Sequence, residues 1–256
     1  MSAIFADTKC DLEKSEVKKI NINLVNLDEK DLTQAFKKAF QPYLDEEEDI
    51  IYLATDLSQV KSNLDESLKY FNNLYERRVI KVIDLNTFSV NAGLVVYEAG
   101  LMYKRGCTDL EILNFVDKFK NECYGLLISQ NKDFILNNCS GLDKVNKNST
   151  FNLINPIVFV KGANFEIIDK AQGKKKAINN IVNWISDCTV NIADYPLIIG
   201  YTDDKVNAEY LKNSLNAKLG EDAIVLLQKF SEYNENLFGK SAIMVSFYSK
   251  KILKTL

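Results

Sequence analysis

The 256-residue sequence contains no histidine. This absence removes imidazole as a general base, a proton shuttle or a metal ligand, so Ser-His and Cys-His catalytic mechanisms are excluded. The signatures G-x-G-x-x-G, G-x-x-x-x-G-K-[ST] and G-x-S-x-G are missing as well. The sequence therefore lacks the usual marks of dinucleotide-binding proteins, of P-loop nucleotide-binding proteins and of α/β-hydrolases.

Long hydrophobic runs are also absent. The longest apolar stretches, Gly93–Tyr97 and Pro196–Gly200, fall far short of the roughly 18 residues that a membrane helix needs. The N-terminus has no basic region ahead of an apolar stretch, which argues against a secretory signal. The five cysteines are widely spaced and form no C-x-x-C pair, so neither a disulfide framework nor a zinc site is expected. We therefore predict reduced thiols, a cytoplasmic location and no integral membrane segment. Cys10 could be reactive, but no histidine is present to activate it.

The sequence has little excess charge of either sign. Its formal net charge of −3 lacks the excess of positive charge that is typical of nucleic-acid-binding proteins. The run Lys174–Lys176 has no basic or aromatic neighbours, so we interpret it as the solvated start of a helix rather than as a phosphate-binding patch. The hydrophobic fraction of 46% and the charged fraction of 26% indicate a globular protein. Its length suits one large domain or two small ones.

Up to Glu122, apolar strands alternate with amphipathic helices. Ile50–Ala54 and Val79–Ile83 are continuous apolar strands, Ser2–Asp7 is a short buried strand, and Leu32–Leu44 has apolar side chains at helical spacing. The other elements predicted here are a half-exposed strand at Ile20–Val25, a helix after Ser58, a helix at Asn91–Arg105 with Gly106 as its C-cap, and a helix opened by a capping box at Thr108 and Glu111. Alternation of this kind predicts a parallel sheet that helices cover on both faces.

After Glu122 the pattern changes. The predicted elements are a strand at Tyr124–Ser129, a loop at Asn137–Asn152, a hairpin turning at Lys161–Gly162, helices at Lys174–Asp187 and Val206–Leu219, and strands at Leu197–Tyr201, Ala223–Leu227 and Ala242–Phe247. The sequence therefore predicts an α/β protein of two domains. Residues 1–122 form a parallel sheet flanked by helices, and residues 123–256 form a mixed α/β sheet domain.

Polar residues follow three of the predicted strands, at Asp7-Thr8, at Thr55–Ser58 and at Asp84. Ligands of parallel α/β sheets bind outside the carboxyl ends of the strands, and a helix N-terminus favours an anion. Thr55 and Ser58 could thus hold an anionic head group, or one of them could merely be the N-cap of the following helix. Asp7, Asp11 and Asp84 could stabilise turns or act as catalytic acids.

In chain order, several segments resemble the motifs of the DegV family of fatty-acid-binding proteins, which have an EDD-type fold. The opening Ile4–Leu12 (IFADTKCDL) is similar to I-x-T-D-S-T-A-D-L. The next match is similar to V-I-D-S…S-x-G-x-G…E-A…G-x-S-x-E-E-I and consists of Val82–Asp84, Ser89, Gly93, Glu98-Ala99, Gly106 and Glu111-Ile112. A third is similar to K-P-I-L…D-G…R-G-x-K-K-A and consists of Asn155–Ile157, Gly162 and Gly173–Ala177. The last, Gly239–Ala242, is similar to the end of H-T-G-P-G-A. The ordered set spans nearly the whole chain.

The resemblance implies two α/β domains with a fatty acid buried between them in an elongated apolar pocket. It implies no catalytic residue and no cofactor besides the bound fatty acid. The residues that it assigns to ligand binding are Ser58, Thr55, Ser89 and Ser241, with Ser58 as the principal donor to the carboxylate. It also implies a partner, because bacterial members present the fatty acid to a separate fatty acid kinase.

This sequence departs from the family pattern around the expected head group. The family loop S-S-x-L-S-G-T matches Ala54–Val60, so Ser58 is kept, but the glycine and threonine after it are replaced. The segment T-S-Q-P-S is not recognisable. Leu237 aligns with the family histidine and Gln172 with the family arginine. These losses argue against a normal kinase partnership more than against lipid binding.

Three functions remain open from the sequence. The chain could carry a fatty acid, it could be a regulatory or interaction protein that kept the fold without the ligand, or it could be an enzyme that uses Asp7, Asp84 or Ser58. The enzyme is the weakest of the three, because no base accompanies Ser58 and no cluster of metal-ligand residues is present.

Overall fold

A computed structural model of the chain describes residues 2–145, 154–220 and 222–253. These residues form a four-stranded parallel sheet of order β2-β1-β3-β4 and a seven-stranded mixed sheet of order β10-β9-β11-β5-β7-β8-β6. The strands are β1 (Ala3–Asp7), β2 (Asn23–Val25), β3 (Ile50–Ala54), β4 (Ile80–Asp84), β5 (Cys123–Ile128), β6 (Cys139–Ser140), β7 (Ile154–Lys161), β8 (Asn164–Gln172), β9 (Leu197–Tyr201), β10 (Val225–Lys229) and β11 (Ile243–Tyr248).

Helices lie on the outer faces of the two sheets and between them. They are α1 (Lys14–Lys19), α2 (Leu32–Asp45), α3 (Leu57–Leu74), α4 (Ser89–Lys104), α5 (Asp109–Phe119), α6 (Lys132–Asn138), α7 (Lys174–Cys188), α8 (Lys205–Leu219) and α9 (Glu232–Phe238). Helices α2 and α3 cover the outer face of the first sheet, and α7 and α8 cover the outer face of the second. None of the helices in the described residues is both long enough and apolar enough to span a bilayer.

Helix α4 lies in the core that the two sheets share. It is apolar on every side, and Val90, Leu94 and Val95 are completely buried, as expected for a helix with sheet or helix neighbours all round. The fit is close: a methyl group on Gly93 would lie 2.5 Å from the carbonyl oxygen of Cys10. The same core contains Ile4 and Ile51 of the first sheet as well as residues of the second sheet. The two sheets are therefore joined by one apolar layer.

The predicted class, with a parallel sheet followed by a mixed sheet, is confirmed. The boundary near Glu122 stays a prediction; β5, the first strand of the second sheet, begins at Cys123. The capping box at Thr108 and Glu111 is present, and Gly106 follows α4 with a φ of +80°.

Some element bounds were wrong. The strand predicted at Ile20–Val25 is shorter in the structure, where β2 begins only at Asn23. Ile20 is instead the C-cap of α1, which occupies the residues before it. The predicted loop at Asn137–Asn152 begins with the end of α6 and with β6, and its residues 146–152 lie outside the described ranges. Helices α1, α6 and α9 were not predicted, because six or seven residues do not show a helical repeat.

Candidate functional site

The carboxyl end of the first sheet is organised by the buried carboxylate of Asp7. It accepts hydrogen bonds from the Thr55 amide (2.8 Å) and hydroxyl (2.7 Å), from the Tyr52 hydroxyl (3.1 Å) and from the Lys9 amide (3.1 Å). Burial raises the pKa of Asp7, and these hydrogen bonds counteract part of that rise. The hydroxyl of Thr55, one of the predicted ligand-binding groups, is thus bonded to a carboxylate of the chain itself.

Asp11 joins the two halves of the chain. The hydroxyl of Ser89, at the start of α4, donates a short hydrogen bond to Asp11. From the other half, the Ser231 amide (2.6 Å) and the Asn234 side-chain amide (2.8 Å) donate to the same carboxylate. Burial raises the pKa of Asp11 to about 6. Ser89 is therefore also bonded to a carboxylate of the chain.

The acidic residues of this region bond to turn and helix-start amides. Asp7 caps the 3₁₀ turn at Thr8–Cys10, and Asp84 accepts from the amides of Leu57 (3.2 Å) and Asn86 (2.9 Å). These bonds fit the turn interpretation of the acids. Burial raises the pKa of the Cys10 thiol far above its usual value, so the reactive thiolate is disfavoured.

Ser58 lies exposed in the first turn of α3. Its hydroxyl donates to Asp56 Oδ1 (2.6 Å), and its backbone amide donates to the same oxygen (3.0 Å). Asp56 is therefore the N-cap of α3, so the alternative that Thr55 or Ser58 is the cap is excluded. Asp56 takes that place because its backbone is extended and its carboxylate reaches the free amide of Ser58. The start of α3 already has one negative charge.

Lys9 is a cationic neighbour of Ser58 that the sequence did not single out. Its ammonium group donates to the Gln59 side chain and lies 3.7 Å from the centre of the Tyr233 ring on α9. Gln59 in turn donates to Asp56 (2.7 Å). Burial lowers the pKa of Lys9, which the carboxylates of Asp7 and Asp56 partly restore. Lys9 thus links Gln59 of α3 to Tyr233 of α9, and we call the group of Lys9, Ser58, Gln59 and Tyr233 the Lys9 mouth.

Ser241 lies in the loop after α9, and no described hydrogen bond joins it to the other three predicted residues. Its backbone has a φ of +56°, and its amide donates to Asp203 (2.6 Å). Its carbonyl accepts a short hydrogen bond from Lys174, which also pairs with Asp204 (2.9 Å). The run Lys174–Lys176 begins helix α7 as predicted, and Lys175 and Lys176 are exposed, but Lys174 is half-buried and paired rather than solvated. The junction between α9 and this loop is fixed by hydrogen bonds to the carbonyls of residues 237–239, which accept from the side chains of Ser129, Asn131 and Thr202.

Five phenylalanines pack together on the inner side of the second sheet. Their ring centres are 5.1 to 6.5 Å apart in contacting pairs; four of them belong to the core that the sheets share, and the fifth, which is partly buried, packs against it. We call Phe88, Phe134, Phe165, Phe230 and Phe238 the phenylalanine cluster. Side chains therefore fill this part of the interface.

Three cavities among the described residues have linings of mixed polarity. One of about 380 Å³ lies between Asn86 and the β7–β8 turn, one of about 190 Å³ lies beside Glu98, and one of about 520 Å³ lies beside Val17 and Leu24. Each has charged or amide side chains in its wall. The elongated apolar pocket between the domains stays a prediction. No group of three or more metal-ligating side chains is present in the described ranges.

Comparison with known proteins identifies the class. A family model described as an uncharacterised protein of the DegV family matches residues 32–250. A DegV domain-containing protein of Clostridium perfringens is 25% identical over 252 residues, covering 84% of this chain and 86% of the relative.

Two solved structures share the fold. A DegV lipid-binding protein from Thermotoga maritima has a TM-score of 0.76 at 15% identity, covering 98% of this chain and 100% of that one. A stearic-acid-binding protein from Eubacterium ventriosum has a TM-score of 0.76 at 14% identity, covering 98% and 99%. The fold is thus the two-sheet α/β architecture of these proteins. The chain belongs to the DegV family, and the resemblance inferred from its motifs is confirmed.

Proposed function

We propose that this protein binds a long-chain fatty acid between its two sheets and acts as a carrier rather than as an enzyme. One observation carries the proposal: the chain matches, over 98% of its length, solved family members described as binding lipid and stearic acid. The apolar layer shared by both sheets supports it, because each methylene group removed from water contributes about 0.8 kcal/mol.

We place the fatty-acid carboxylate at the Lys9 mouth. A carboxylate that leaves water needs hydrogen bonds or a counter-charge. Lys9 supplies the charge, and the exposed hydroxyl of Ser58 can turn from Asp56 towards an incoming carboxylate. Thr55 and Ser89 remain proposed contributors, and each hydroxyl would have to turn from Asp7 or Asp11, to which it now donates, towards the ligand. Ser241 remains a proposed contributor from the loop after α9.

The acyl chain would lie among the phenylalanine cluster beside α4. Phe230 follows β10, and Phe238 is the last residue of helix α9, so displacing either side chain would break no ladder of the sheet. A cytoplasmic location fits the same proposal, since Cys10, Cys107, Cys123 and Cys139 are free thiols.

The Ser58→Ala substitution should weaken fatty-acid binding by about 1–3 kcal/mol, the usual cost when a charged group loses a hydrogen bond. Titration calorimetry with stearic acid would measure the change. Ser62→Ala is the matched control, because Ser62 is exposed one turn further along α3 and should leave the affinity unchanged. If Ser58→Ala also leaves it unchanged, the carboxylate does not bind at Ser58.

Presentation of the fatty acid to a kinase is a separate part of the proposal. Leu237 and Gln172 stand where the family pattern has histidine and arginine, and the carbonyl of Leu237 accepts from Asn131 (3.0 Å). These replacements remove two polar side chains expected near a phosphorylated head group. We therefore propose that any kinase contact of this chain differs from the usual one.

A second candidate function is a regulatory or interaction protein without a ligand. Specific contacts favour it: Thr55, Ser58 and Ser89 all donate to carboxylates of the chain, and the phenylalanine cluster fills the interface. The two candidates differ in whether the protein takes up a fatty acid at all.

A further inference from the structure

Two polar side chains in the core shared by the sheets have no hydrogen-bond partner in the described residues. Asn91, on α4, is completely buried, and neither its Oδ1 nor its Nδ2 is bonded. Ser246, on β11, is also completely buried, and its Oγ is unbonded. Buried polar groups are nearly always hydrogen-bonded, so each of these exceptions calls for an explanation.

The two side chains meet over one glycine of the second sheet. A methyl group placed on Gly125 would lie 2.9 Å from Asn91 Oδ1 and 3.1 Å from its Nδ2, so the amide rests directly on β5. Ser246 is the residue paired with Gly125 across the antiparallel β11–β5 ladder. Paired residues share a face of the sheet, about 5 Å apart. We call these two side chains the Asn91–Ser246 pair.

The sheet backbone cannot satisfy this pair. β5 is paired with β11 on one side and with β7 on the other, so the backbone at Gly125 is engaged in the ladders. The surrounding side chains are apolar; Met244 on the same face would lie 2.4 Å from the added methyl. The pair offers an amide acceptor, an amide donor and a hydroxyl. A group that both donates and accepts would satisfy it, whereas a methylene would not.

We infer that the fatty acid bound by this protein has a hydroxyl group along its acyl chain, and that this hydroxyl bonds to Asn91 and Ser246. The inference rests on the proposed function, and it requires α4 and the second sheet to move apart at Gly125 when the acyl chain enters, because even a methyl group there would lie within 3 Å of Asn91 and Met244. The pair lies in the core that also contains the phenylalanine cluster. An unsubstituted chain laid across the pair would leave three polar atoms unbonded.

The test compares stearic acid with a series of monohydroxystearic acids that differ in the position of the hydroxyl. We expect at least one isomer to bind wild-type protein tenfold or more tightly than stearic acid. In Asn91→Leu this advantage should disappear while stearic acid still binds. Ser246→Ala should reduce the advantage, which provides a second variant if Asn91→Leu folds poorly.

Asn155→Leu is the matched control. Asn155 is buried on β7, its Oδ1 is also unbonded, and it is paired with Ala171 in the core under α7, on the opposite face of the sheet. This variant should keep the preference for the hydroxylated isomer. If every isomer binds no more tightly than stearic acid, the inference is wrong. If neither stearic acid nor any isomer binds, the proposed function fails as well.

Discussion

Replacing Asp11 with alanine should lower the free energy of unfolding by about 3–5 kcal/mol. Three buried or half-buried donors would lose their acceptor: the Ser89 hydroxyl, the Ser231 amide and the Asn234 side chain. Each buried hydrogen bond left unmade costs about 1–3 kcal/mol, and removal of the buried charge offsets part of the total. Urea unfolding followed by circular dichroism would measure the loss. A loss below about 1 kcal/mol would show that Asp11 does not tie the two halves together.

Asp11→Asn separates the charge of Asp11 from its shape. Burial raises the pKa of Asp11 to about 6 in the folded protein, while an unfolded aspartate titrates near 4. The folded state therefore binds the proton more tightly, and the contribution of Asp11 to stability falls as the pH rises from about 4 to about 6. The free energy of unfolding of wild type, measured relative to that of Asp11→Asn at the same pH, should therefore decrease as the pH rises across that window. A constant difference would contradict the raised pKa.

Replacing Phe238 with alanine should cost about 3–5 kcal/mol of stability, the usual range for a fully buried phenylalanine. Phe238 is 0% exposed and contacts Phe134, Phe165 and Phe230. The substitution opens an apolar cavity where we place the acyl chain. Because apolar cavities can accept apolar ligands, added stearic acid should stabilise Phe238→Ala more than it stabilises wild type. Thermal unfolding with and without stearic acid would show the difference.

Phe71→Ala is the matched control for this experiment. Phe71 is 1% exposed; it belongs to α3 and packs against Phe40 of α2 on the outer face of the first sheet. A similar loss of stability is expected, because the residue type and burial are the same. Stearic acid should stabilise this variant only as much as wild type. Equal gains in both variants would show that the phenylalanine cluster is not on the path of the acyl chain.

The central strands could be predicted from the sequence, as could the succession of a parallel sheet and then a mixed sheet along the chain. Ile50–Ala54 and Leu197–Tyr201 were predicted to the residue, because each is a short apolar run that begins after an aspartate or a proline and ends before a threonine. Helix α9 could not be predicted, since its seven residues show too little periodicity. That omission matters, because α9 provides Tyr233 to the Lys9 mouth and Asn234 to Asp11.

The candidate site was predictable only in its local part. The placement of Ser58 at the start of a helix follows from its neighbours in the chain. The pairing of Thr55 with Asp7 spans 48 residues and that of Ser89 with Asp11 spans 78, and no local pattern encodes such contacts. Lys9 gave no signal because an isolated lysine in a loop is ordinarily solvated. The unbonded state of Asn91 depends on packing between a helix and a sheet, which the sequence alone does not show.

The most direct test of fatty-acid binding is native mass spectrometry of the protein purified from cells. We expect a bound species whose added mass equals that of one long-chain fatty acid. Removal of lipid should abolish this species, and addition of stearic acid or of a hydroxystearic acid should restore a one-to-one complex. A protein that is bare on purification and that stays bare after both additions would contradict the account and leave the ligand-free regulatory protein in its place.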